Sequence, residues 1–583
     1  MAKKIPYAVA NYEKIINEDY YFVDKTRFIR ELEKYQIPIF LRPCRFGKSL
    51  WCSILECYYD INRADRFEHL FGQTDIGRSP TPSHNSHLVL RFDFSKIAVT
   101  SEYGELETHF DLECANSFRV FLARNAARFS GLTVDDLPAS GAAALARLQA
   151  EISGRQLSPL YIIIDEYDNF TNQLLTARQD DLYRELTSGD SFLRTFYKVI
   201  KGGVGEGVVA RVFVTGVLPV TMDDLTSGFN IGQIITLKKQ VLDMMGFTQA
   251  EVDSYVDDIF AEHNWPVGMR RQVGDDLRRQ VGDDLRAHYN GYRLLPDAVE
   301  TLYNSTICNF YLNDLVINEG TLPTETIDHN LRVDLNWLRR LAGGDANTRA
   351  MLETLLFEGM LPVDTTMLAS AFNMAQFFDA QFLPLSLYYL GMLTFQNRFS
   401  LSFPNLTVKT LFAEYFNEME HIEVSTGYTG MFMQFLRDHD VAALFAGYWD
   451  IYIGQIPVQA FDKANENFFR TTFYELCTRY LAPDFIFAIE VNHPSGRSDW
   501  EAIGRPHTVF ENQALLLEFK HFPRAEGERL GVLEWATPRA EEIAQVTGYA
   551  DDLKQRYPRL SVRRHIVYTV ACTGFRFFTL EPT

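Results

Sequence analysis

A chain of 583 residues, 46% hydrophobic and 23% charged, is too long for one core and too apolar to be disordered. Its length suggests about three folded domains. A net charge of −20 argues against nonspecific coating of nucleic acid or of an anionic membrane, while leaving room for a local basic groove or a metal that brings its own charge.

The seven cysteines include no CxxC pair, so free thiols are expected and structural zinc is not. The N-terminus, "MAKKIPYAVANYEK", lacks the apolar run of a signal peptide, and no stretch reaches the roughly eighteen apolar residues that a membrane helix needs. A soluble, cytoplasmic protein with no membrane partner is expected.

In chain order, the first strand candidate is Ile37–Leu41, followed by a helix from Lys48. Further apolar runs stand at His87–Phe94, Leu160–Ile164 and Val212–Val217. Continuous apolar strands separated by helical stretches predict a buried parallel sheet with helices on both faces. The segments "SPTPSHNSH", "LPASGAAALARLQAEISG" and "KGGVGEGVV" read as insertions or linkers. The octapeptide "RRQVGDDL" occurs twice in tandem, at Arg270–Leu277 and Arg278–Leu285, and reads as a duplication tolerated on an exposed helix. From about residue 300 the pattern is mainly helical, with a β-like stretch at "LTFQNRFSLSFPN". The last part returns to α/β: helices at "YTGMFMQFLRDHDVAALFAGYW" and "NENFFRTTFYELCTRYL", strands at "FIFAIEV", "SDWEAI" and "NQALLLEFKHF", then a helix and the strand "RRHIVYTVAC". The expected boundaries are 1–300 for an α/β domain, 301–430 for a helical middle region and 431–583 for a second α/β domain.

The stretch "IPIFLRPCRFGKSLW" resembles the phosphate-binding pattern G-x-x-x-x-G-K-[ST], with Gly47, Lys48 and Ser49 present and Arg42 where the first glycine belongs. Strand, tight turn and helix start aim backbone N–H groups at one anion, here those of Phe46 to Leu50. Lys48 adds a charge, the Ser49 hydroxyl suits Mg²⁺, and Arg45 supplies a further cation. In "YIIIDEYDNF", Asp165 ends a buried strand and suits the magnesium shell, while Glu166 is placed to orient an attacking water. Thr215, at the end of "VFVTGV", is a candidate γ-phosphate sensor.

In order, "YFVDKTRFIRELEKY…FLRPCRFGKSLWCSILECYYD", "IIIDEYD", "VFVTGVLPV", "GFTQAEV" and "YNGYR" resemble the AAA-ATPase-like family of P-loop NTPases. The resemblance covers roughly the first half of the chain. Its typical loop, RPRRFGKS, also lacks the first glycine; Cys44 departs from it, standing where a second arginine is usual. The resemblance implies ATP with Mg²⁺ at this site and leaves the rate of hydrolysis open.

A second constellation lies near the C-terminus. In "LLLEFK", Glu518 and Lys520 are two apart and share one face of a strand, with Leu517 and Phe519 on the other. Asp499 precedes Glu518 by an interval that suits a hairpin. Two carboxylates hold Mg²⁺ (or Mn²⁺) and leave positions for water and substrate, and the lysine offsets charge on a phosphodiester. The flanking segments resemble the PD-(D/E)XK nuclease superfamily, over roughly the last 150 residues. That resemblance adds Glu466 on a helix, Gly496 and Arg497 before Asp499, and Gln545 with Tyr549 one helical turn apart; Glu475 is a rival to Glu466, and Glu490 a further acidic neighbour.

The two resemblances together imply an ATP-binding, nucleotide-gated, Mg²⁺-dependent nuclease with DNA as the expected partner, and their context suggests a bacterial protein of defence against foreign nucleic acid. The alternative is a nucleotide-dependent switch or scaffold whose nuclease fold binds nucleic acid or a protein partner without cutting. Homo-oligomerisation is left open. His84 and His87 in "SHNSH", with ligand-like spacing, and the "RDHDVA" run read as a surface loop and a helix end.

Overall fold

The computed structural model describes residues 2–225, 230–263, 265, 277–328, 331, 335–343, 346–369, 372–423, 427–456, 461 and 464–581. The chain forms two compact units, each assembled from separate stretches. The first comprises Met1–Tyr255, Gly291–Asn313 and Val363–Leu401; the second comprises Val256–Asn290, Asp314–Pro362 and Ser402–Thr583. Residues 301–430, expected as a middle module, are thus shared between the two.

The first unit is built on five parallel strands: β1 (Pro38–Leu41), β2 (Leu88–Asp93), β3 (Leu160–Asp165), β4 (Val209–Gly216) and β5 (Gln233–Ile234), in the order β2-β3-β4-β1-β5. Every residue of β1 and β3 is buried, which is why "PIFL" and "LYIIID" show no alternation. The helices α1 (Lys48–Tyr59), α2 (Tyr103–Arg124) and α4 (Phe192–Gly205) pack against this sheet, and α3 (Gly141–Gly154) packs on α4. Two further helices, α5 (Gln249–Glu262) and α6 (Ser305–Ile317), begin in this unit. Register places Asp93 beside Asp165 and Leu41 beside Gly216, so these strands end together at one edge. In open α/β sheets that edge is where ligands bind.

Two expected insertions are elements of this unit. The alanine-rich stretch is α3, a strong helix-former by composition, and it buries Ala142, Ala144, Leu145, Leu148 and Ile152. Fully burying side chains such as Leu145 and Leu148 contributes about 1.5–3 kcal/mol each, which fixes the helix in place. The stretch "KGGVGEGVV" supplies the last turn of α4 and the start of β4.

The second unit carries a mixed sheet: β6 (Phe485–His493), β7 (Gly496–Gly504), β8 (Gln513–Phe522), β9 (Ser561–Val570) and β10 (Gly574–Leu580), in the order β10-β9-β8-β7-β6. All neighbours are antiparallel except β8 and β9, whose connection includes α9 (Ala540–Arg556). Of its helices, α7 spans Leu406–Met419 and α8 spans Glu466–Leu481. Alternation along β8 sorts the core. Leu515, Leu517 and Phe519 cluster with Phe468, Phe469, Phe473 and Leu476 of α8, whereas Ala514 and Leu516 cluster with Val546, Tyr549, Ala550 and Leu553 of α9.

The stretch "RDHD" does end a helix: one helix stops at Asp438, and Asp440 caps the next through the amides of Ala442 and Ala443. The second copy of the tandem octapeptide lies in the helix Leu277–Tyr289 and buries Gln280, Val281 and Leu285, while 270–276 of the first copy fall outside the described residues. His87 is buried at 8% exposure rather than held on a surface loop. All seven cysteines are free, and no helix among the described residues is long and apolar enough to cross a membrane.

Candidate functional site

Between the end of β1 and the start of α1 the backbone turns through two left-handed residues, Arg45 (φ 70°) and Gly47 (φ 90°). Gly47 is the N-cap of α1 and tolerates this conformation without a Cβ penalty. Lys48 is 3% exposed, donates to the carbonyls of Arg42 and Pro43 at 3.3 Å, and lies 3.4 Å from Glu166 Oε1. Burial pulls its ammonium down, but Glu166 and the neighbouring acids hold it above the usual lysine range.

Arg42, in place of the first glycine, does not face the loop. Its guanidinium lies over the Phe40 ring at 4.4 Å and donates to the carbonyls of Leu41, Thr236 and Leu242. It is 1% exposed, and burial pulls its pKa down to about 10. The arginine thus braces the strand end from within the fold.

Arg45, Lys48, Ser49, Glu166, Lys25 and Ser305 are among the residues lining a cavity of about 250 Å³. Two buried polar atoms of its lining have no hydrogen-bond partner, Arg45 Nη1 and Trp51 Nε1; Asp165, which is not part of the lining, leaves Oδ1 without one. The other oxygen of Asp165 accepts from Arg91 Nη2 at 2.8 Å, and burial pushes the carboxyl up against that pull. An orphaned guanidinium nitrogen in the lining fits an anionic ligand, and the orphaned oxygen of Asp165 outside the lining fits the shell of a divalent cation that such a ligand carries.

Thr215 departs from the expectation. It is fully buried, donates to the Phe40 carbonyl at 2.7 Å, and serves the pairing of β4 with β1 rather than lining the cavity. The residue of "DEYD" that sequence reasoning missed is Asp168. It accepts from the amides of Val217 (3.1 Å) and Leu218 (2.7 Å) and from Asn172 (2.8 Å), and so fixes the turn after β4. Gly216 is required there, because a Cβ would meet Asp168 Oδ1 at 2.2 Å.

In the second unit, the β7–β8 ladder pairs Trp500 with Leu517, so Asp499 and Glu518 stand next along the two strands. The Phe519 amide donates to Asp499 Oδ2 at 2.9 Å. Lys520 Nζ is 2.8 Å from Glu518 Oε1 and 3.7 Å from Glu466 Oε1 at the first residue of α8. Burial and the Asp499 carboxylate push Glu518 up to about 7, against the pull of Lys520. The same two causes raise Glu466. Burial pulls Lys520 down, but Glu518 and Glu466 hold it above the usual lysine range.

Gln545 Nε2 donates to the Tyr549 hydroxyl at 2.6 Å. Tyr549 packs over Gly496, whose absent Cβ would lie 3.1 Å from that hydroxyl. The glycine before Asp499 therefore makes room for α9. The rival Glu475 is fully buried and pairs with Arg479 along α8, away from Asp499's partners.

Arg470 was the missed residue of this site. Its Nη1 donates to Asp499 Oδ1 at 2.6 Å and its Nη2 to Glu490 Oε1 at 2.8 Å. The available signal was its position one turn after Glu466 on the same helix. Glu490 adopts φ 56° on β6, and Lys409 of α7, Arg470 and Arg497 hold it down at about 2 against its burial. His493, Ser498 and Glu501 form a further buried hydrogen-bonded group on β6 and β7.

Three crowded carboxylates, two of them raised by burial and mutual repulsion, fit a divalent cation that would relieve the repulsion. Among the described residues no three His, Cys, Asp or Glu side chains form a complete ligand group, so Asp499 and Glu518 would supply two donors and water or substrate the rest. Both Asp499 oxygens already accept one hydrogen bond each, and each keeps a second lone pair.

Family models match two parts of the chain: a predicted AAA-ATPase at residues 6–226 and the PD-(D/E)XK nuclease superfamily at 464–577. An uncharacterized protein in the vnfD 5′ region of Azotobacter chroococcum mcd 1 is 26% identical, over 95% of this chain and 94% of the relative. A Walker-type ATPase of Pyrococcus abyssi is 12% identical with a TM-score of 0.34, covering 67% of this chain and 94% of that one. The phosphate loop falls in the first matched segment and Asp499, Glu518 and Lys520 in the second, so the chain joins a domain of the AAA-ATPase-like family to a domain of the PD-(D/E)XK nuclease superfamily.

Proposed function

We propose that the chain is a nucleotide-gated, Mg²⁺-dependent nuclease that cleaves phosphodiester bonds in DNA. The observation that carries this reading is the meeting of Glu518, Lys520 and Glu466 beside Asp499 on the adjacent strand. Asp499 and Glu518 would hold the cation, which when bound acidifies a water and offsets phosphodiester charge. Lys520 positions the attacking water and donates to the oxygen on which charge develops. Glu466 restrains the lysine from the helix side. At the phosphate loop, Lys48 and the amides of Phe46 to Leu50 bind the phosphates of ATP, Ser49 and Asp165 hold its magnesium, and Glu166 orients water.

A second reading is favoured by one observation: Arg470 and the Phe519 amide engage both oxygens of Asp499. In that reading the nuclease fold binds nucleic acid or a protein partner without cutting, under nucleotide control.

Incubating the full chain with supercoiled plasmid and Mg²⁺, with and without ATP, separates them. Cleavage that depends on ATP is expected, and Lys48→Ala should lose that dependence by about tenfold or more in nucleotide affinity, as expected for removal of a charge-assisted phosphate contact. If Lys48→Ala cuts as wild type does at every ATP concentration, gating is wrong. Retarded plasmid with no product under any condition supports the second reading.

A further inference from the structure

The "DKT" segment has no role in the reading above, and its three residues behave differently. Asp24 accepts from the amide and hydroxyl of Thr26 through one oxygen and from the Asp75 amide through the other. Thr26 in turn accepts from the Ile76 amide. Asp24 and Thr26 therefore lock the loop. Lys25 instead lines the cavity that contains Arg45, Lys48, Ser49 and Glu166.

Its position is costly. Lys25 is 6% exposed, with Nζ donating to Glu251 Oε2 at 2.5 Å and to the Asp243 carbonyl at 2.8 Å. An ammonium has three donors, so one is left for a ligand. Burial pulls Lys25 below the usual lysine range in spite of Glu251. The lining holds three cations, Lys25, Arg45 and Lys48, and one carboxylate, Glu166, in a chain of net charge −20.

Glu251 is committed elsewhere as well. The same oxygen accepts from the Thr248 amide at 2.8 Å, and the Thr248 hydroxyl accepts from the Glu251 amide at 3.3 Å. This reciprocal pair caps α5. One carboxylate oxygen thus joins the cavity lysine to the first turn of a helix.

We propose that Lys25 is a binding residue of the nucleotide cavity, whose free N–H bonds an anionic oxygen of the nucleotide, and that Glu251 competes with the nucleotide for it. The inference rests on the reading of this cavity as a nucleotide site. Occupancy draws the ammonium toward the ligand and slackens its hold on the cap of α5.

The test titrates the full chain with a methylanthraniloyl derivative of ATP and Mg²⁺, alongside amide hydrogen exchange of the first turn of α5. Lys25→Met should weaken binding about tenfold, as expected for one lost charge-assisted contact. Glu251→Gln keeps a capping side chain and frees the lysine, so it should tighten binding about threefold, on the order of the loss of one partly screened competitor. A purely structural lysine would make both variants weaken binding or neither change it, and either result overturns the proposal. Since Lys25→Met leaves Glu251 unpaired and endangers folding, the sign of the Glu251→Gln effect alone decides. In wild type, nucleotide should speed exchange at residues 249–252; unchanged exchange overturns the coupling to α5. If wild type binds no nucleotide, the underlying reading fails together with this one; if wild type binds and Lys48→Ala does not, that reading stands and the sign of the Glu251→Gln effect still decides this one.

Discussion

Lys520→Ala is expected to lower Mg²⁺-dependent plasmid cleavage by about 100- to 1,000-fold, the usual cost of removing one preorganised donor aimed at developing charge. The lysine lies 2.8 Å from Glu518 and 3.7 Å from Glu466, so no neighbouring cation on β8 replaces it. Its side chain is about one quarter exposed, at 24%, so truncation opens no large cavity. A thermal melt of the variant within a few degrees of wild type, measured beside the nicking assay, separates lost chemistry from lost fold. Lys520→Ala cutting within threefold of wild type would remove the case for this lysine in strand scission. Asp499→Ala is the harsher companion, because it also removes one of the two carboxylates that the buried Arg470 guanidinium pairs with and leaves Glu490 alone.

The second large effect falls on stability. Asp168→Ala should destabilise the first unit by roughly 3–5 kcal/mol, the range for removing one partner from a buried charged contact. The loss leaves the Val217 and Leu218 amides buried without an acceptor, each costing about 1–3 kcal/mol. Asp168→Asn keeps one acceptor oxygen and should cost less. Urea unfolding followed by intrinsic fluorescence measures both, and an alanine variant as stable as wild type would show that the turn after β4 holds itself.

Strands β1 to β4 of the first sheet were legible because burial writes largely continuous apolar runs, and the edge at Asp165 follows from where the run stops, whereas β5, two exposed residues, left no such run. The hairpin that brings Asp499 to Glu518 was legible from period-two alternation and spacing. The alanine-rich α3 was misread because its small residues give weak amphipathic contrast, although they pack closely. Strand β10 escaped notice because its side chains are only partly buried, so "GFRFFTL" lacks a clear apolar face. Arg42 and Thr215 were opaque for a shared reason. Both stand in motifs that point to a ligand, yet their partners, Leu242 and Phe40, are main-chain carbonyls that no side-chain pattern encodes. Arg470 had one signal, its place a turn after Glu466, but the carboxylates it serves lie on strands whose pairing no helix pattern encodes.

The weaving of the first unit from three stretches bears on how the protein is expressed in pieces. A fragment ending at Tyr255 retains the phosphate loop but discards Gly291–Asn313 and Val363–Leu401. With them go Ser305, which sits against Gly47, Asn304, which donates to the Cys44 carbonyl, and Gly391, which leaves space for the Pro43 ring. No single cut therefore yields an intact first unit. Dissection by truncation will report misfolding rather than division of labour, and point variants in the whole polypeptide are the sound route to testing the two candidate sites separately.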